Sequence, residues 1–190
     1  MGKRSDFEKI PRDKYYTWDA RAYTPMRAIF RQIGSFVEPC AGGGDMIRAL
    51  EAIHPRCVYA CDIEPTADFD RILKLSYDQI DPAIFKHADY IITNPPWTRS
   101  VMHPFIEWCI ASGTPAWLLI DTNWASSRQA RPLLSYCSDI VPTPRLKWIP
   151  DSKDSAKDDT AWYRFQETPC DTIWRNSESP SERRRKELLA

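Results

Sequence analysis

No apolar run in this 190-residue sequence approaches the ~18 residues that a helix needs to cross a bilayer. The opening Met-Gly-Lys-Arg-Ser-Asp also lacks the apolar core of a secretory signal. Both absences lead to the expectation of a cytoplasmic protein with no membrane partner. Net charge is missing too: 26 basic residues balance 26 acidic ones. A uniformly basic coat is thereby excluded, and any contact with phosphate must come from a local patch. The six cysteines, at 40, 57, 61, 109, 137 and 170, form no Cys-x-x-Cys pair and no Cys/His cluster. Scattered through apolar stretches, they read as buried free thiols, with metal or disulfide roles as the alternative and no metal expected. Neither Gly-Lys-Ser/Thr nor the Gly-x-Gly-x-x-Gly spacing occurs, which argues against a phosphate loop. What remains is a globular composition, 43% hydrophobic and 12% aromatic, at a length that suits one domain.

Residues 1 to 23 are polar with interleaved aromatics, Phe7, Tyr15, Tyr16, Trp18 and Tyr23, which predicts a segment packed on the domain. Thr24-Pro25 offers an N-cap followed by proline at the first helical position, opening a short helix to about Gln32 that Gly34 closes. From Ser35 a short apolar strand runs to Glu38, a turn follows with glycine at 42, 43 and 44, and then a helix places Met46, Ile47, Leu50 and Ile53 on one face. Glycine lets a ligand come close to the backbone where a Cβ would intrude, so the turn reads as a ligand seat. Glu38 at the strand end suits a cationic or amino-bearing ligand; an ordinary strand-to-helix turn is the alternative. A second strand, Arg56 to Ile63, carries Asp62 near its carboxyl end, 24 positions after Glu38. In doubly wound domains an acid about 20 residues past the glycine turn takes ribose hydroxyls. The other reading of Asp62 is a turn residue or the N-cap of a helix over 66–75.

The stretch Ala88 to Ile92 is a third strand that two prolines stop at Asn94. Asn94-Pro95-Pro96-Trp97 then forms a rigid tip with an amide and an indole projecting from it, suited to hold something flat. Downstream, a helix near Val101 to Ala111 leads to a strand over Ala116 to Ile120, with Asp121 to Trp124 expected to border the ligand crevice. A helix around Ser127 to Tyr136 completes the alternation. Hairpin-like strands are expected at Ile140-Val141, Arg145 to Ile149 and Thr160 to Phe165, joined by a charged loop at 150–159, with a polar, basic tail from residue 167. The predicted fold class is therefore α/β, a mostly parallel doubly wound sheet ending in an antiparallel hairpin, with residues 1–166 as one domain.

Taken in order, Glu38 to Asp45, Asp62-Ile63 and Asn94 to Trp97 resemble the cofactor motif, ribose-binding acid and catalytic motif of the S-adenosylmethionine-dependent DNA adenine-N6 methyltransferases whose cofactor motif comes first. Tyr15-Tyr16-Thr17 looks like that family's segment for the methionine end of the cofactor, with Thr24-Pro25 as a competing match. Asp78 is the nearest candidate for an acid on the cofactor's adenine. Lys153, Lys157, Asp158, Ala161 and Trp162 look like the family's last motif. The resemblance implies a Rossmann-like class I methyltransferase fold and S-adenosylmethionine as cofactor. It implies cofactor contacts from Tyr16, Thr17, Glu38, Pro39, Ala41, Gly42, Gly44, Asp62, Ile63 and Asn94, and catalysis by Asn94, Pro95, Pro96 and Trp97, in a bacterial or phage enzyme.

The chemistry matches those residue types. An adenine amine is a poor nucleophile because its lone pair is delocalised. The Asn94 side-chain oxygen and the Pro95 carbonyl can accept its two N–H groups, while Trp97 stacks on the base. In a duplex the base must first be flipped out. The core uses nearly the whole chain and leaves no room for a groove-reading domain, so low sequence specificity is expected. DNA, or RNA, would be held by Arg128, Arg131, Arg145, Lys147, Lys153 and Lys157. The basic run Arg183 to Lys186 is either solvated or a loose phosphate contact. The alternatives are an RNA adenine or protein glutamine methyltransferase, the latter usually with tyrosine in place of Trp97, or a degenerate methyltransferase-like subunit that only binds nucleic acid.

Overall fold

Eight strands join into one sheet in the computed structural model, which describes residues 16–66, 70–149 and 158–175. They are β1 Ser35–Glu38, β2 Arg56–Asp62, β3 Leu73–Lys74, β4 Tyr90–Thr93, β5 Ala116–Asp121, β6 Cys137–Pro142, β7 Thr160–Phe165 and β8 Ile173–Trp174. Their order is β3-β2-β1-β4-β5-β7-β6-β8. β1 to β5 pair in parallel, β7 runs antiparallel to both β5 and β6, and β8 is parallel to β6.

The central strands are apolar on both faces because both are covered, as a mostly parallel sheet requires. Alternate residues go opposite ways. Phe36, Ile92, Trp117, Leu119, Val141 and Trp162 belong to one core, and Val37, Ile91, Leu118, Ile120, Ile140 and Tyr163 to the other. The first core is covered by α2 (Asp45–Glu51) through Met46, Ile47 and Leu50, and by the N-terminal segment through Tyr23, Met26 and Phe30. Over the second lies α3 (Arg99–Ala111), whose Met102, Phe105, Ile106 and Cys109 recur at helical spacing and are all buried. Pro104 falls on the exposed side of α3, and Gly113, with φ 72°, supplies the left-handed residue just beyond its end.

The structure departs from the sequence reading at several elements. The helix expected over 24–32 is a 3₁₀ turn, Thr24–Met26, followed by α1, Arg27–Phe30. β4 starts two residues later than expected, and just ahead of it the Asp89 carboxylate accepts the Gly34 and Ser35 amides. Residues 145–149 form no strand: β6 is longer and earlier, and Pro144, which has no amide to donate, follows its last bond to β7, from the Thr143 amide to the Thr160 carbonyl. Leu146 from that stretch is fully buried nonetheless. A helix over 127–136 is replaced by a 3₁₀ turn, Arg128–Ala130, and the short α5, Arg131–Leu134, while α4 spans Thr122–Ala125. No helix occupies the described part of 66–75. The sheet continues past residue 166, where β8 pairs with β6 at Asp139 and Ile140. All six cysteines are free thiols, and no helix among the described residues is long and apolar enough to cross a membrane.

Candidate active site

β1 has β2 on one side and β4 on the other, so the chain changes direction of winding there. Ligand crevices in such sheets open at the carboxyl ends of the strands flanking that point. Glu38 ends β1, Asp62 ends β2 and Asn94 follows β4, which brings the three sequence motifs to one edge of the molecule. The crevice there holds ≈ 250 Å³ of free space, part of it open to solvent, lined by Tyr16, Thr17, Glu38, Cys40, Ala41, Asp45, Met46 and Asn94.

The turn after β1 is held by backbone bonds, one to β2 and one within itself. The Ala41 amide donates to the Cys61 carbonyl (3.0 Å) and the Gly44 amide to the Ala41 carbonyl (2.8 Å). Gly42 and Gly44 take φ of 51° and 77°, values that L side chains rarely adopt, and Gly44 caps α2 in that conformation. Asp62 locks the turn: one carboxylate oxygen accepts from the Gly42 amide and the other from the Glu64 amide, both at 2.8 Å. The space a Cβ would take on Gly42 is filled by the Tyr16 ring. The close approach expected of a ligand there is thus made by the chain's own Tyr16. Ile63, next to Asp62, is exposed, at 62% of its surface.

Glu38 is 1% exposed, and its Oε2 has no hydrogen-bond partner among the described residues. Burial, then the charges of Asp62 and Asp45, push its carboxyl well above the usual range. Burial likewise pushes the Cys40 thiol well up, which keeps it in the unreactive form. Glu38 and Asp45 line the cleft and Asp62 stands in the adjoining turn, so a cationic, hydrogen-donating group placed there would relieve the cost of ionising Glu38.

At the other wall, Asn94 is held by both ends of its amide. Its Nδ2 donates to Thr17 Oγ1 at 3.1 Å, and its Oδ1 accepts from Trp97 Nε1 at 3.1 Å. The same indole N–H reaches the Leu119 carbonyl at 3.0 Å. Pro95 is buried, and Pro96 and Trp97 are half-buried. The Trp97 ring meets Trp148 edge to face, centroids 5.3 Å apart, and Trp18 Nε1 donates to the Trp148 carbonyl at 3.2 Å.

Tyr16, Thr17, Glu38, Ala41 and Asn94 thus line one crevice, with Pro39, Gly42 and Gly44 in the adjoining turn and Asp62 bonded to it. Asp121 to Trp124 do not line the crevice. Asp121 caps α4, and Trp124 is in the core against Tyr163 and Phe165, its Nε1 donating to His103. Asp78 lies exposed in a 3₁₀ turn whose Tyr77 packs on Phe105 and Trp108. Of the cationic candidates, Arg128 and Arg131 are exposed. Arg145 is paired with Asp159 at 2.9 Å, and Lys147 is half-buried, with its amide on Asp19. Lys153, Lys157 and Arg183 to Lys186 lie outside the described residues. Sequence reasoning named none of Cys40, Asp45, Met46, Trp18 and Trp148 as an individual site residue. Asp45 stood at the end of the glycine motif and Met46 on the face of the helix after it, whereas Trp148 was read only as part of a strand over Arg145 to Ile149 that does not form.

No protein-family model matches the sequence, and no curated protein matches it significantly. Solved structures do match its fold. A protein from Listeria monocytogenes assigned to the class I S-adenosylmethionine-dependent methyltransferases superposes with a TM-score of 0.58 at 13% identity, covering 96% of this chain and 72% of that one. A Lactococcus lactis protein assigned as a hemolysin gives 0.57 at 9% identity, over 92% and 99%. A Pyrococcus horikoshii protein assigned as an RNA methyltransferase gives 0.53 at 11% identity, over 77% and 82%. The mostly parallel sheet with its antiparallel β7 is the Rossmann-like fold of class I methyltransferases. At these identities the likeness defines the fold, and the site must carry the function.

Proposed function

We propose that this chain is an S-adenosylmethionine-dependent methyltransferase acting on the exocyclic N6 of adenine in DNA, with low sequence specificity. One observation carries the reading: Asn94-Pro95-Pro96-Trp97 emerges from the strand beside an acidic glycine-turn crevice at the switch point of the sheet. The residues fit the cofactor. When bound, S-adenosylmethionine supplies a methyl group on a positively charged sulfur. Asp45 and Asp62 provide a matching negative field, and a donor such as the methionine ammonium would satisfy the orphaned Glu38 oxygen and favour its ionised form. Each Asp62 oxygen accepts one backbone amide and keeps a further acceptor position for ribose hydroxyls.

Asn94 Oδ1 and the Pro95 carbonyl accept the amine's N–H groups, so the nitrogen lone pair is left free to attack. Alignment does most of the work, and the proton is shed to solvent after transfer without a strong base. Exposed Arg128 and Arg131 supply phosphate contacts. RNA is the second reading, favoured by the Pyrococcus horikoshii structure of like fold that is assigned as an RNA methyltransferase.

The test is incubation with tritiated cofactor and DNA, RNA or protein in separate reactions, followed by nucleoside analysis. Label as N6-methyladenine in DNA is the expected result; label in RNA alone selects the second reading, and label in no acceptor excludes an enzyme. Asn94→Ala should keep cofactor affinity and lose transfer by at least ~100-fold, the scale of one transition-state polar contact.

A further inference from the structure

Four successive residues, Tyr16 to Asp19, hold three separate parts of the molecule. Tyr16 lies on the glycine turn after β1, and Thr17 Oγ1 accepts from Asn94 Nδ2 at the tip after β4. Trp18 Nε1 donates to the Trp148 carbonyl, and the Asp19 carboxylate accepts the Lys147 amide at 2.8 Å, so both reach the stretch after β6. Thr17 and Asp19 are buried, and the Tyr23 hydroxyl donates to the Thr17 carbonyl from below. Tyr16 and Thr17 also make one wall of the crevice; its other lining residues come from β1, the turn, α2 and the tip.

The Tyr16 contact is the closest fit of the set. A Cβ built on Gly42 would stand 2.4 Å from Tyr16 Cε1 and 2.5 Å from Cδ1, inside van der Waals contact with an edge of the ring. Tyr16 lines the crevice, whereas Gly42 does not. A glycine kept bare for a ligand would show its backbone to the open space; at Gly42 a ring from the N-terminal segment stands there instead. Its φ of 51° is a second demand for glycine, but that one is local to the backbone and does not depend on Tyr16.

We infer that residues 16–19 are a strap across the crevice and that Gly42 is a positioning residue acting through it: the missing Cβ seats the Tyr16 ring, and the seated ring shapes the space that a ligand enters. The naming of that ligand as S-adenosylmethionine rests on the proposed function; the seat itself does not.

A double-mutant cycle separates the two roles of Gly42. Gly42→Ala should raise the cofactor Kd at least ~10-fold, as the preorganised wall is displaced. In a Tyr16→Ala background, which itself binds more weakly, Gly42→Ala should change Kd by no more than about threefold, because only backbone strain remains. A Tyr16→Phe background keeps the ring and should show the full loss. An equal loss with and without the ring, or no loss with it, would overturn the inference, since the Cβ would then meet the ligand itself or meet nothing.

The same cycle read as melting temperature needs no cofactor. Gly42→Ala should lower the melting temperature of the unliganded protein more when the ring is present than in Tyr16→Ala; additive drops, or failure to fold in both backgrounds, would overturn the seat. A further measurement avoids any change at Gly42: 3-fluorotyrosine placed at position 16 should shift its ¹⁹F resonance when cofactor is added, and binding without a shift would overturn the wall. A non-additive melting cycle in a protein that binds no S-adenosylmethionine would leave the seat standing and count against the cofactor reading alone.

Discussion

Glu38 is buried next to two further carboxyl groups, and that placement sets opposite demands on stability and binding. Its folded-state pKa is raised, so its contribution to stability is full below the unfolded value of about 4.3 and is lost as pH rises towards the folded value. Glu38→Gln should therefore match the unsubstituted protein at pH 4 and exceed it in urea midpoint at pH 8, while binding the cationic cofactor more weakly. Parallel pH–midpoint curves for the two proteins would contradict this. Asp62→Ala should weaken cofactor binding by about 1–3 kcal/mol, as for other charge-assisted hydrogen bonds. Because Asp62 also holds the Gly42 and Glu64 amides, the melting temperature should fall too. Calorimetry and a thermal melt on the same sample separate the effects; unchanged affinity would remove Asp62 from the site. That Glu38 and Asp62 are acids at strand ends was legible in the sequence. Their burial and bonding were not, because desolvation is a property of neighbours that arrive from elsewhere in the chain.

At the scale of elements, the N-terminal segment is part of the fold. Trp162 Nε1 donates to the Ala22 carbonyl at 2.8 Å, and Phe30 packs edge to face on the Trp162 ring at 5.5 Å. Phe30→Ala should cost about 3–5 kcal/mol in urea unfolding, as for other buried aromatics; a cost below ~1 kcal/mol would mean that the segment docks loosely. At the far edge, β8 is held by the Arg175 amide on the Ile140 carbonyl and by the Arg175 guanidinium on Asp139. Burial alone would raise the Asp139 pKa; hydrogen bonds from Ser138 and Arg175 outweigh it and hold it below the ordinary value. Its contribution is present above the unfolded value and is lost as pH falls through the lower folded one. Asp139→Asn should accordingly speed amide exchange in β8 at neutral pH and flatten the acid limb of the stability curve, and unaltered exchange at Trp174 would argue against this anchor. Aromatics spaced through residues 1 to 23 signalled packing without saying against what. Nothing in the sequence marked Asp139 and Arg175 as partners, since β8 is only two residues long and its pairing rests on a long-range contact.

Across the whole molecule, balanced charge means that, on the proposed reading, affinity for nucleic acid would rest on local cations. Arg145 is already paired with Asp159, so it has less to offer phosphate than the exposed Arg128 and Arg131. Anisotropy titrations across salt concentrations should show affinity falling steeply, with Arg128→Ala and Arg131→Ala each lowering the log–log slope by about 0.7–0.9 and Arg145→Ala by less. A larger slope change at Arg145 would place the nucleic acid on that loop. The sequence by itself determined the alternation of strands and helices, the glycine turn, the acids at two strand ends and the proline-stopped tip, because each follows from periods and conformational limits within a few neighbouring residues. Only the tertiary structure decided that β4 lies beside β1, that β7 pairs with both β5 and β6, and that Tyr16 covers Gly42. It alone decided that Thr17 and Trp97 grip the two ends of the Asn94 amide. The Thr17 contact joins residues 77 positions apart and the Trp18–Trp148 contact residues 130 apart; such pairs are chosen by how whole layers pack, which no local pattern encodes.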